Sequence, residues 1–553
     1  MKKIPLLFIF LSFLACQSKN PESADVIYTN GRIWTGDSAN TWAEALAIKG
    51  EDIIAVGSQK EVDILRGGKT TVVDLKKQLV VPGLIDNHTH FLMGGFQLAS
   101  VDLRNAQTPD IFKQLIADFV KNKPQGQWVT GGDWDHQLWG GDLPRKEWID
   151  AVTRDYPVFV NRLDGHMALA NSKALALAGI TKNTKDIPGG EIVKHPQTGE
   201  PTGVLKDEAM SLVTKVIPEA PLNERLEALQ RAMNHAVSLG LTQVHDVSSL
   251  GGWSDLETYR KAHEQGTLKI RIYSFIPISS WKKLADYVAQ NGKGDDWLRW
   301  GSLKGFVDGS LGSHTAWFHR PFVDAPKSKG FMVTDSTDLK KWVLSADSAK
   351  LHVTVHAIGD HANDWILDVF EQAEKQNGQR DRRFRVEHAQ HLSPHAIQRF
   401  AQLNVIPSMQ PYHAIDDGRW AAKYIDNQAL MGTYAFKSLL DAKAKLTFGS
   451  DWTVAPLSPL EGICAAVTRQ TIDGKNPNGW FPEQKISVED ALKCYTQNNA
   501  YAGFQENKTG TLAKDKLADF VVLSDNIFTI QAEKIKEVKV MHTIIGGKEV
   551  YKR

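Results

Sequence analysis

His88-Thr89-His90 closes an apolar run, Leu79 to Ile85, that is aliphatic and mostly β-branched apart from Pro82 and Gly83. Such a run suits a buried strand. Residues two apart on a strand share a face, roughly 6–7 Å apart along the chain, so the two imidazoles point the same way at the strand's end. That pair can begin a metal site, and a bare H-x-H also arises by chance, so further ligands must decide. Lys304 lies in "SLKGFVDGS", His356 ends "VTVHAIG", His388 ends "RVEHAQ" and Asp451 follows "TFGS". Four histidines and an aspartate make a ligand set suited to zinc or a similar divalent ion.

These residues need strands to present them, and the sequence supplies eight apolar, β-rich runs. They are "GLIDNHTH", "GLTQVHDV", "LKIRIYSFI", "GSLKGFVDG", "LHVTVHAIG", "RFRVEHAQ", "NVIPSMQ" and "AKLTFGSD". Helical patterns such as "DWILDVFEQAEKQ" and "SPHAIQRFAQL" connect several of them. Alternation at this count favours an α/β fold of the (β/α)8 TIM-barrel type, whose chemistry sits at the C-terminal ends of the strands. The histidines and Asp451 then fall on strands one, five, six and eight, and Lys304 on four. The first two runs are far apart, so residues 96–236 are expected to hold an insertion subdomain over the barrel mouth. Short alternating pieces with Asn-Gly and Lys-Gly turns fill residues 25–81, and the C-terminus repeats that style. A small β-sandwich from 25–81 and 507–553 is expected beside a barrel over 82–506.

The chain has 553 residues, 42% hydrophobic, so it can bury a large core. Lys plus Arg number 65 against 64 for Asp plus Glu, which gives no charge excess for nucleic acid or an anionic membrane surface. "MKKIPLLFIFLSFLAC" has the basic start and short apolar run of a signal peptide over 1–15. The cysteine after it resembles a bacterial lipoprotein signal, with Cys16 lipidated, residues 16–24 a tether and the protein exported, facing the periplasm. Of the three cysteines, Cys464 and Cys494 then remain, too few for a disulfide framework.

The ligand set and the flanking β segments resemble the amidohydrolase superfamily of metal-dependent hydrolases. "PGLIDNHTH", "DGH", "PTGVLKDEAM", "KGFVDGSLGSHTA", "HAIGD", "EHAQ" and "GSDW" are more closely similar to its YtcJ-like branch, amidohydrolase family 3, which includes N-substituted formamide deformylases. The resemblance implies two metal ions, zinc first and iron or manganese next. His88, His90 and Asp451 would hold one, and His356 and His388 the other. Lys304 would bridge them as a carbamate, and the apolar neighbours Leu303, Gly305 and Phe306 would favour the neutral amine this requires. The alternative is an ion pair from Lys304 to Asp308 or a loop carboxylate, with one metal. The resemblance further implies attack by a metal-bound hydroxide, with Asp451 taking the water's proton and handing it to the leaving nitrogen.

His166, in "RLDGHMA", resembles the family's loop histidine facing substrate. His413 is a substrate-binding candidate. So is Trp134, beside Asp135 and His136, with a packed aromatic loop as the alternative. His245 and Asp246 read as structural hydrogen-bonding groups. The sequence thus points to an exported hydrolase of non-peptide C–N bonds in small amides, formamides or cyclic amides. A mononuclear deaminase or esterase on the same scaffold, and a small-molecule-binding lipoprotein without turnover, are the competing readings.

Overall fold

The computed structural model describes residues 23–553 except 122, 164–166, 188–189 and 248–250. The proposed signal segment, Cys16 and His166 therefore lie outside the described residues. All eight expected runs form one parallel sheet: β1 (Leu84–Thr89), β2 (Leu241–Asp246), β3 (Arg271–Pro277), β4 (Leu298–Phe306), β5 (His352–Ala357), β6 (Arg385–His388), β7 (Ile406–Met409) and β8 (Thr447–Phe448). Neighbours in the sheet follow chain order from β1 to β8. The sheet closes on itself by main chain beyond β8. Asp451 N–H donates to the His88 carbonyl at 2.8 Å, and His90 N–H donates to that of Trp452 at 2.6 Å. Gly449 permits this approach, because a Cβ there would meet Asn87 Oδ1 and His88 N at 2.6 Å each.

Barrel strands are covered on both faces, which is why they read as near-continuous apolar runs; every residue of β1, β2 and β5 is buried. Helices pack outside. Asp360–Asn377 turns Ile366, Leu367, Phe370 and Ala373 onto the barrel core, a helical spacing. Pro394–Gln402 is started by Ser393, whose hydroxyl accepts from Ala396 N–H, and by Pro394 at its first position.

Both termini build a six-stranded sheet in which Phe520–Leu523 pairs antiparallel with Leu79–Pro82. A four-stranded sheet from residues 26–74 shares one buried apolar cluster with it, including Tyr28, Leu46, Val80, Phe520 and Ile544. Arg271 at the start of β3 ties this unit to the barrel through a buried bidentate pair with Asp519, at 2.7 and 2.9 Å. Between β1 and β2 a separate six-stranded sheet runs from Val101–Asp102 to Pro201–Asp207. Helix Leu222–Ser238 lies inside the span assigned to the insertion, yet its buried face (Leu229, Met233 and Val237 among others) joins the barrel's core. The insertion's own sheet ends before it.

Candidate metal centre

The site starts from β1, where the two-residue repeat puts Asp86 and His88 on the inner face. The Asp86 carboxylate accepts from the backbone N–H groups of His88 and Ser450, both at 3.0 Å, locking the strand end to the segment after β8. That segment delivers Asp451 in the left-handed region, at φ 60°, and β6 delivers His388 at φ 72°. Non-glycine residues in such conformations carry strain of order 1–3 kcal/mol each and concentrate at functional sites.

The ligand atoms of His88, His388 and Asp451 all lie within 4.8 Å of one another. His88 Nε2 and His90 Nε2 stand 3.4 and 3.3 Å from Asp451 Oδ1. The His356 and His388 rings lie with centroids 4.5 Å apart, and those of His88 and His388 4.8 Å apart. Each of three histidines has one ring nitrogen occupied by a protein acceptor. His88 Nδ1 meets Glu387 Oε2 at 2.5 Å, His388 Nδ1 meets Gln410 Oε1 at 2.8 Å and His356 Nε2 meets the Gly309 carbonyl at 3.0 Å. In the neutral form of each ring these bonds assign the N–H to those nitrogens and leave the other nitrogen with a lone pair, as metal-binding histidines require. His88 Nε2 is buried without a hydrogen-bond partner, and that orphaned nitrogen beside a carboxylate is the mark of a group that fits a cation.

Lys304, on β4, is 2% exposed. Burial pushes its amine down to about 8, against the opposing pull of the Glu387 and Asp451 carboxylates. Among the described residues Lys304 makes no ion pair. Asp308, its alternative partner from the sequence, instead accepts from the backbone N–H groups of Trp317 (2.7 Å), Ile358 and Gly359 (both 2.9 Å). Burial pushes His356 down to about 3, assisted by the Lys304 charge. It likewise holds His388 well below the ordinary imidazole range, with His356 and His88 adding to the effect. Burial alone would raise Asp451, but His88 and His90 outweigh it and keep the carboxyl well below its usual range. His356 and His388 are thus neutral beside an ionised carboxylate, as metal binding requires. His88 differs: burial and the Lys304 charge would lower it, but the Glu387 and Asp451 carboxylates outweigh them and raise its pKa, so a cation arriving there displaces a proton.

The structure brings together His88, His90, His356, His388 and Asp451, and Lys304 is near enough for its charge to act on His88 and His356. His413 joins them: its Nε2 is buried without a hydrogen-bond partner, 3.8 Å from Asp451 Oδ2. Trp134 does not join them. It is fully buried in the insertion's own core, with its indole N–H donating to the Val160 carbonyl at 2.9 Å; the packed alternative describes it, because the two-residue repeat of Gly131–Trp134 turns its ring inward. His245 and Asp246 act structurally. His245 Nδ1 accepts from Arg385 at 3.0 Å, and Asp246 accepts from Phe91 N–H and the Tyr259 hydroxyl. Sequence reasoning missed Glu387 and Gln410. A signal existed for the first: in "RVEH", Arg385 and Glu387 are two apart, which puts both charges on the inner face of a barrel strand.

The sequence profile of the amidohydrolase family matches residues 71–551. Protein LONG AFTER FAR-RED 3 of Arabidopsis thaliana is 42% identical over 96% of this chain and 92% of its own length. N-substituted formamide deformylase of Arthrobacter pascens is 27% identical over 96% of this chain and 98% of its own. A crystal structure of an uncharacterized metal-dependent hydrolase of Pyrococcus horikoshii superposes with a TM-score of 0.78 at 27% identity, covering 92% of this chain and 99% of that one.

Proposed function

This chain belongs to the amidohydrolase family, and we propose that it hydrolyses a carbon–nitrogen bond in a small non-peptide amide, formamide or cyclic amide. The observation that carries this reading is the convergence of His88, His388 and Asp451 at the mouth of the barrel, their ligand atoms within 4.8 Å of one another. His88, His90 and Asp451 would hold one divalent ion, and His356 and His388 a second, with zinc favoured by the histidine-rich set. A bound ion would supply Lewis acidity, polarising a carbonyl and acidifying water.

The chain's own groups do the rest. Asp451 is ionised at neutral pH because His88 and His90 offset its burial, so a carboxylate oxygen can take the proton of the attacking water. The same oxygen then gives that proton to the departing nitrogen. His413 Nε2, without a protein partner and close to Asp451 Oδ2, is placed to bind substrate. Lys304 would join the ligand set as a carbamate: its neutral amine bonds to the carbon of carbon dioxide and loses one proton. The fitting name among the relatives is the formamide deformylase, which supports screening N-substituted formamides first.

Metal per chain, measured on the purified protein and on Lys304→Ala, tests this reading beside an amide and formamide panel. Two equivalents falling to one or none, together with turnover, are expected. One equivalent, unchanged in the variant, would return Lys304 to a packing role and favour the mononuclear chemistry. No metal after reconstitution would remove the hydrolase reading and leave the binding lipoprotein. Export and lipidation are part of the same proposal, resting on "MKKIPLLFIFLSFLAC"; Cys16→Ala should then release the protein from the membrane fraction.

A further inference from the structure

We propose that Glu387 is the positioning residue of the metal centre, holding the His88 imidazole in the one tautomer and orientation that present Nε2 to a cation. This role rests on the metal-dependent reading of the site, and it assigns to the reaction a carboxylate that is neither ligand nor acid–base group.

Four strands converge on the Glu387 side chain. Oε2 meets His88 Nδ1 of β1 at 2.5 Å and accepts from the Ser408 hydroxyl of β7 at 2.6 Å. Oε1 accepts from the Thr354 hydroxyl of β5 at 2.9 Å and pairs with Arg385 of β6 at 2.7 Å. Both oxygens are therefore committed, and the carboxylate has no freedom to turn. Glu387 is fully buried. It lies against His88 Nδ1, across the ring from the nitrogen that faces Asp451, and its charge also reaches the Lys304 amine.

The supporting framework is itself anchored. Arg385 is fully buried, and besides Glu387 it donates to the Asn87 carbonyl at 2.7 Å and to His245 at 3.0 Å. Asn87 immediately precedes His88, so the same ion pair fixes the ring through Glu387 and the backbone next to that ring through Arg385. An ionised acceptor on Nδ1–H is stronger than a neutral one and raises the basicity of the opposite nitrogen. Gln410 and the Gly309 carbonyl, which serve His388 and His356, are neutral acceptors. Of the three, His88 alone hydrogen-bonds a carboxylate, since Asp308 Oδ1 stands 3.6 Å from His356 Nε2, beyond hydrogen-bond distance; the opposite nitrogen of His88 is the one left buried without a partner beside Asp451.

Full-length Glu387→Gln tests the role through zinc affinity, by competition with a chelator of known strength, and through 15N spectra of the His88 ring in metal-free protein. Replacing such an outer partner typically costs about 10–100-fold in metal affinity, and a loss of that size is expected. Recorded at alkaline pH, where the ring is neutral, the wild type should show the Nδ1–H tautomer alone; in Glu387→Gln the two tautomers should mix. Glu387→Gln also leaves Arg385 without its counter-charge. Should it fail to fold, the double variant Thr354→Val, Ser408→Ala keeps the ion pair while freeing the carboxylate to rotate, and must shift both readouts in the same direction to a smaller extent. Tight zinc binding by the wild type with unchanged affinity and tautomer in the variants would overturn the role of Glu387 and leave the metal centre standing. A wild type that binds no zinc would overturn the centre itself, and this role with it.

Discussion

Replacing Lys304 by methionine should stabilise the metal-free protein, because the amine is held where its charge is unwelcome. Burial lowers its pKa from 10.5 to about 8. Each unit corresponds to 1.36 kcal/mol of preference between the two protonation states, so charged Lys304 costs the folded state about 3 kcal/mol, its attraction to Glu387 and Asp451 already included. Below pH 8 both folded and unfolded chains bind the proton, and the full cost is present. Between pH 8 and 10.5 the unfolded chain binds a proton that the folded chain has released, so stability rises with pH. Above 10.5 the cost is gone. Metal-free, carbon dioxide-free Lys304→Met should therefore exceed the wild type by up to about 3 kcal/mol at pH 7, with the gap closing by pH 10.5. Urea unfolding followed by tryptophan fluorescence across that range measures it. A gap that does not narrow with pH, or a variant less stable than the wild type at pH 7, would refute the desolvated amine. The same depressed pKa leaves about half the amine neutral at pH 8, so a 13C carbamate signal absent from Lys304→Met should already be strong there.

Asp451→Asn should lower kcat by about 10²–10⁴-fold while retaining substrate binding, and steady-state kinetics with a direct binding assay check both; unchanged turnover would exclude a proton route through Asp451. Trp134→Ala should cost about 3–5 kcal/mol in the insertion through the cavity and the orphaned Val160 carbonyl, read by limited proteolysis, with KM unchanged; a raised KM at native stability would restore Trp134 to the cleft. Gly449→Ala should disturb the barrel seam, since the added carbon meets Asn87 Oδ1 and the His88 backbone nitrogen at 2.6 Å. A large loss of metal affinity is expected, and a variant that binds zinc normally would show that the seam can shift without moving His88.

The barrel was legible because its strands alternate with helices and carry long apolar runs, and the candidate ligands because His88, His356, His388 and Asp451 all sit where such runs end. That rule is local: a polar residue at the end of an apolar strand stands out without any knowledge of its neighbours. Trp134 shows where local reading fails. An aromatic between glycines and aspartates in "GGDWDH" suits a cleft loop and an inward-facing strand residue equally well, and only the pairing of Gly131–Trp134 with Phe159–Arg162 decides. Glu387 and Arg385 fail for a different reason. Two charges inside an apolar strand look like a half-exposed edge until the sheet is closed, and closure depends on contacts between β1 and the segment after β8, at opposite ends of the barrel's chain. Once closed, the barrel buries both charges completely, so they must pair with one another and with whatever polar groups the neighbouring strands offer. The groups on offer are the Thr354 and Ser408 hydroxyls and the His88 imidazole. The pairing demanded by burial is thus the same arrangement that aims His88 at Asp451, and folding the barrel and preparing the proposed metal ligand are one event.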